Sequence, residues 1–285
     1  MSKQLLVLDF DGTMTDAEEE GRPFRLGYLE DIAALAGQPV DEVVALADRF
    51  EGVVNERPGD YGWVFGGRIV APSTVDPYLR IMPVARMILD HFGAFTVSDE
   101  RDRLLDAILY KYNYQKTNTV FREGAGAFLR GCTGTATYVV TNSHTTPVQE
   151  KIRSLGEDPD GGNALSWLVE RVHGRAKKYI LDSDFTELPE SMQLDGLERP
   201  VLLRRRHYYE VLNALRAQEG VDWSDVVVVG DIFELDLALP LAMGARVALV
   251  LGEFTPAYER AYLEAHPRGA TLTALDQIPG FVAAP

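Results

Sequence analysis

The chain has 285 residues and a formal net charge of −15. That length can bury a substantial core in one large domain or two smaller ones, and the acidity argues against a nucleic-acid partner, whose phosphates it would repel. No apolar run approaches the roughly 20 residues that span a membrane, the single cysteine, Cys132, excludes an internal disulfide or a multi-cysteine zinc site, and the expectation is a cytoplasmic protein without a secretory leader.

The first expected strand, Leu5-Leu6-Val7-Leu8, runs straight into Asp9-Phe10-Asp11-Gly12-Thr13. Side chains alternate along a strand, so Asp9 and Asp11 start on one face at its carboxyl end, where open α/β sheets place their sites. Two adjacent carboxylates repel unless a cation or a shared proton relieves them. The motif therefore points to a metal site, an acid/base pair, or both. It is not an EF-hand loop, because the sixth position, which needs glycine, is Met14.

Helical spacing follows at residues 32–36, 43–54, 84–92 and 104–112. In the last of these Leu104, Leu105, Ile108 and Leu109 share a face. Residues 17–120 are too many for a loop in a compact domain, so they are expected to form an inserted helical unit. Glu18-Glu19-Glu20 reads as a solvated turn at its start. The glycine-rich stretch 57–68 reads as a long loop, with Trp63, Arg68 and Tyr78 as candidate substrate contacts.

The next buried strand, 137–140, ends in Thr141-Asn142-Ser143 ahead of a helix over 148–155. Alone, that triplet reads as a helix N-cap. Beside the other clusters it reads as a phosphate corner, a hydroxyl followed by N–H groups that open a helix. Residues 182–200 carry no assigned role beyond a small strand extension. Arg204-Arg205-Arg206-His207 precedes a helix over 208–215. A strand at 226–229 then ends in Gly230-Asp231, with Asp236 five residues on in a helix over 235–243, and a last strand covers 247–251. Alternating strands and helices imply an α/β fold, a Rossmann-like doubly wound parallel sheet. Asp9, Asp11, Asp231 and Asp236 supply hard oxygen ligands suited to Mg²⁺.

Asp9-Phe10-Asp11-Gly12-Thr13, Thr141-Asn142-Ser143 and Gly230-Asp231 with Asp236, in this order and each at a strand end, resemble the phosphatase branch of the haloacid dehalogenase superfamily. The resemblance implies a catalytic core of residues 1–16 and 121–285 and a helical cap of residues 17–120. It implies that Asp9 attacks phosphorus and forms an aspartyl-phosphate, and that Asp11 is the general acid and then the base. Mg²⁺ is implied between Asp9, the Asp11 carbonyl and Asp231, with Asp236 a direct or outer ligand. Thr141 and the Asn142 N–H would hold phosphoryl oxygens. A basic residue near the nucleophile is also implied. Arg205 is favoured for it, catalytic and substrate-binding, because it stands just before the helix that precedes Asp231. Lys178 is the rival, of the usual type but far upstream. The implied activity is Mg²⁺-dependent hydrolysis of a small phosphorylated metabolite. A sugar phosphomutase of the same superfamily, or a non-catalytic phosphate sensor, are the alternatives. No nucleic-acid or membrane partner is expected, and the oligomeric state is open.

Overall fold

Four Val/Leu-rich runs lie side by side because each is apolar on both faces and needs cover on both. They are β1 (Leu5–Leu8), β4 (Ala136–Val140), β8 (Val226–Gly230) and β9 (Arg246–Val250). The computed structural model describes residues 3–112, 119–157 and 162–284. Among these, two short edge strands, β5 (Val172–His173) and β10 (Gly269–Leu272), complete a six-stranded parallel sheet in the order β10-β9-β8-β1-β4-β5. Sequence reading finds the four central strands and misses both edges. β5 is only two residues long, and β10 is half-exposed Gly-Ala-Thr-Leu without an apolar run.

The register places the chemistry. Leu8 pairs with Val139 on one side and Val229 on the other. Asp9, Thr141 and Asp231 therefore leave three adjacent parallel strands at the same edge, within a residue or two of the paired ends. Leu5 and Val7 face a cluster with Tyr208, Leu212 and Leu215 of α8 (Arg206–Glu219) and Leu263 of α10 (Ala257–Ala265). Leu6 and Leu8 face the opposite cluster, with Phe128 of α5 (Ala125–Gly131), Ile152 of α6 (Thr145–Gly156), Leu168 of α7 (Ser166–Val169) and Ile278 of α11 (Ile278–Ala283). After β8 the chain makes a wide π-helical turn, Phe233–Leu237, and continues into α9 (Ala238–Ala242).

The chain leaves the sheet at Thr15 and returns at Phe121, and these two residues pair as an antiparallel bridge. Between them α1 (Ala17–Ala36), α2 (Val40–Glu56), α3 (Pro77–Phe92) and α4 (Ser98–Tyr112) bury a separate apolar cluster that includes Phe24, Tyr28, Val43, Ile88 and Leu105. Asp16 caps α1 by accepting from the Glu19 N–H at 3.1 Å.

Two sequence expectations change here. Part of the stretch read as a long loop is a β-hairpin, β2 (Gly62–Phe65) against β3 (Arg68–Pro72). Gly66 and Gly67, with φ of 57° and 76°, make the two-residue turn that suits a hairpin's twist. The many glycines hid the apolar runs on either side. The 182–200 segment does contain a strand, β6 (Ser191–Met192), which pairs with β7 (Val201–Leu202) outside the main sheet. Neither Glu18 nor Glu20 is simply solvated. Glu20 is buried, and Glu18 pairs with buried Arg80 at 2.6 Å.

Candidate active site

Asp9, Asp231 and Asp236 are all buried and offer carboxylate oxygens within 4.8 Å of one another. Two glycines permit this crowding. Gly12 has a φ of 80°, and a Cβ there would stand 2.2 Å from Asp231 Oδ2. A Cβ on Gly230 would stand 2.7 Å from Asp236 Oδ2. The Ile232 N–H fixes Asp236 Oδ2 at 3.0 Å. The Thr13 hydroxyl sits 2.9 Å from Asp231 Oδ1 and 3.3 Å from Asp9 Oδ2, so the threonine of the first motif ties two of the three carboxylates together.

Lys178 answers two of them. Lys178, 1% exposed, donates to Asp9 Oδ1 at 2.6 Å and Asp236 Oδ1 at 2.8 Å. Burial opposes its charge, but the facing Asp236 and Asp9 outweigh burial and raise its pKa, so it stays an ammonium. Direct ion pairs among the described residues set one lysine against the three carboxylates, and Arg122 offsets only part of the negative charge at Asp231. Burial pushes the Asp9 carboxyl up to about 7, Lys178 offsets part of that, and Asp236 adds to it. Asp231 is raised well above the usual carboxylate range by burial, then by Asp9 and Asp236. A clustered, all-oxygen, under-neutralised donor set fits a hard divalent cation.

The expected basic residue is thus placed differently. Lys178, not Arg205, stands on Asp9. Arg205 is completely buried and faces backbone. It donates to the carbonyls of Leu202 (3.0 Å), Val70 (2.7 Å) and Lys178. Burial without a carboxylate partner lowers its pKa to about 10. Position along the chain ranked Lys178 second because the excursion carrying β6 and β7 separates it from α8. The loop that delivers it is unusual. Arg175 and Lys177 both adopt left-handed φ, 54° and 48°, a backbone cost of order 1–3 kcal/mol each that tends to be retained at functional sites. Asn142 Oδ1 accepts the Lys178 N–H at 2.8 Å, so the second motif holds the lysine's backbone.

Thr141 is buried, and its Oγ1 accepts the Ser143 N–H at 3.1 Å. The Asp11 carboxylate stands apart from the three-carboxylate group, on Lys151 Nζ at 3.0 Å. Trp63 packs tilted against Tyr179, ring centroids 4.3 Å apart, next to Lys178 in sequence. Tyr78 packs on Phe24, and Arg68 makes an exposed pair with Glu190. A cleft of about 250 Å³ opens over Asp231, lined by Gly12, Glu18, Val75, Arg122 and Phe254 among others. Sequence reading missed Lys151, Glu20 and Arg199. A signal existed for the first two. Lys151 falls between Val148 and Ile152 on the buried stripe of α6, and Glu20 lies on the Phe24–Tyr28 stripe of α1.

Behind the Asp231 loop, Arg199 forks onto Glu234 at 2.6 and 2.7 Å and reaches the Gly59 carbonyl at 3.2 Å. Glu259 is fully buried beside them. Its Oε2 accepts the Phe233 N–H at 3.3 Å and its Oε1 has no hydrogen-bond partner among the described residues. Burial, with Glu234 adding to it, raises its pKa well above normal. A raised carboxyl pKa stabilises the fold fully only below the unfolded value near 4.5, and that contribution is lost as pH rises toward the folded pKa. Glu259→Gln keeps an acceptor for Phe233 and removes the titration. Its thermal unfolding, measured from pH 5 to 8, should show a gain of about 1–3 kcal/mol at the alkaline end and a flatter profile.

No family model and no curated protein sequence matches the chain. Solved structures do. A predicted phosphoglycolate phosphatase from Haemophilus somnus superposes with a TM-score of 0.54 at 13% identity, covering 98% of this chain and 97% of its own. The HAD-hydrolase YfnB of Bacillus subtilis, solved with magnesium bound, superposes with a TM-score of 0.53 at 13% identity over 100% of both chains. The chain has the haloacid dehalogenase-like fold. At this identity the likeness carries the architecture, and the chemistry must come from the residues. No described helix is long and apolar enough to cross a membrane.

Proposed function

We propose that the protein is a Mg²⁺-dependent phosphatase that hydrolyses a small phosphorylated metabolite through an aspartyl-phosphate. The observation that carries this reading is the division of the two motif aspartates. Asp9 lies against Lys178 within a buried three-carboxylate group, while Asp11 stands outside that group on a lysine of its own. One carboxylate is thereby suited to attack and the other to proton transfer, a separation of roles by environment.

An Asp9 carboxylate oxygen forms the bond to phosphorus as the ester oxygen departs, and that oxygen takes a proton from Asp11. Asp11, now a carboxylate, accepts a proton from the water that attacks the aspartyl-phosphate. Inorganic phosphate leaves and Asp9 is restored. Lys178 keeps the phosphoryl group and Asp9 electrostatically compatible, and the Thr141–Asn142 corner positions phosphoryl oxygens. Asp9, Asp231 and Asp236, with the Asp11 carbonyl, would hold the Mg²⁺, which supplies charge neutralisation for the approaching dianion. Residues 17–120 would act as the cap that excludes water from the leaving-group side. The fold's solved relatives, one of them bound to magnesium, support the reading.

A panel of phosphate monoesters assayed with Mg²⁺ should release inorganic phosphate, and excess chelator should abolish the release. An isomeric sugar phosphate in place of free phosphate would replace this reading with a phosphomutase. Inertness toward the whole panel would leave a phosphate-binding sensor.

A further inference from the structure

Asp9 and Asp11 take different lysines. Lys151 of α6 donates to Asp11 Oδ1 at 3.0 Å and to Glu20 Oε1 at 3.1 Å. Glu20, 5% exposed, is itself fixed. The Thr15 hydroxyl donates to its Oε2 at 3.0 Å and the Val120 N–H to its Oε1 at 3.2 Å. Thr15 and Val120 lie on the two chain segments that cross between the sheet and α1–α4, beside the Thr15–Phe121 bridge. A line of hydrogen bonds thus runs from that crossing through Glu20 and Lys151 to Asp11.

The line makes the two oxygens of Asp11 unequal. Oδ1 is held by Lys151. Oδ2 is shielded from solvent and has no hydrogen-bond partner among the described residues. Shielded polar atoms are nearly always paired, so an orphan calls for a reason, and a catalytic role is one such reason. Lys151 does not join the group around Asp9. Its ammonium meets Asp11, Glu20 and, at 5.9 Å, the Phe10 ring.

We infer that Lys151 is a positioning residue for proton transfer. Together with Glu20 it pins the Asp11 carboxyl by Oδ1, so that Oδ2 gives the proton to the leaving oxygen and later takes one from water. This inference rests on the phosphatase reading, in which Asp11 is the acid and base. It adds that the acid is aimed by α6 and by the crossing to the inserted helices, independently of the Lys178 and carboxylate cluster.

The test compares two esters on the full chain with saturating Mg²⁺, reading kcat/KM, which reports the step in which the leaving group departs. p-Nitrophenyl phosphate releases a stable anion that needs little protonation, whereas phenyl phosphate needs the acid. Lys151→Met should lose about 100-fold on phenyl phosphate, the lower end of what a positioned acid supplies, and less than about 10-fold on p-nitrophenyl phosphate. Glu20→Gln should shift the ester preference in the same direction by less. A merely structural ion pair would not change that preference, so equal losses on both esters, or none, overturn the inference. If Lys151→Met does not fold, Glu20→Gln decides, and an unchanged preference there overturns it. A folded wild-type chain inert toward both esters and toward the whole monoester panel would overturn the phosphatase reading and this inference with it. An active wild type with equal losses in the variants overturns the positioning role alone.

Discussion

Asp9→Asn is expected to abolish ester hydrolysis, with a loss on the order of 10⁴-fold or more, as befits removal of a covalent nucleophile. An amide of the same shape does not attack phosphorus. The fold should survive, because the change removes one of three crowded carboxylates whose mutual repulsion and burial push Asp9 up to about 7. Lys178 keeps its 2.8 Å bond to Asp236. Phosphate release and thermal unfolding measured side by side test both halves of the expectation. Undiminished turnover in a folded variant would remove Asp9 as the nucleophile.

Lys178→Met should have the second-largest effect, and on two readouts. The side chain is the positive partner within 3 Å of both Asp9 and Asp236. Taking one member out of a buried ion cluster strands the others, at a cost of about 3–5 kcal/mol. The melting temperature without divalent cation should therefore drop sharply. Added Mg²⁺ should restore more stability to the variant than to the wild type, because the cation then carries the whole neutralisation. Turnover should fall on the order of 10³-fold even at saturating Mg²⁺, in line with the loss of a preorganised electrostatic partner. A variant that melts and turns over like the wild type would mean that the ammonium beside Asp9 is ornamental.

Much of the site was legible because strand order and motif order coincide. Asp9, Thr141 and Asp231 each follow a strand whose apolar run is unmistakable, and a parallel sheet delivers all three to one edge. Thr13 was visible too, as the last residue of the first motif. The basic partner was visible only as the second choice, Lys178 behind Arg205. Reading backward from Asp231 stops at Arg205, which stands at the start of α8, whereas the excursion through β6 and β7 pushes Lys178 beyond that window. Composition cannot reveal that a fully buried arginine faces three carbonyls. Lys151 and Glu20 illustrate another gap. Each is a charge on an otherwise apolar helix stripe, a local inconsistency that acquires meaning only when the two helices meet. The hairpin was hidden by its own turn glycines, and the edge strands were too short or too polar to stand out.

Arg199 and Arg205 both issue from the excursion that obscured the lysine, and both hold on to the inserted segment through main-chain oxygens, Gly59 and Val70. Their remaining contacts grip Glu234 behind Asp231, the peptide of Lys178 and the Leu202 carbonyl. Lifting the hairpin would orphan the buried Arg205 donor that now meets Val70, at about 1–3 kcal/mol. Hairpin, ammonium loop and carboxylate turn are thereby joined through two arginine side chains. Under the phosphatase reading, a substitution along the excursion is expected to lower turnover on all phosphate esters alike rather than to change the preference among them, as kcat compared across an ester panel would show.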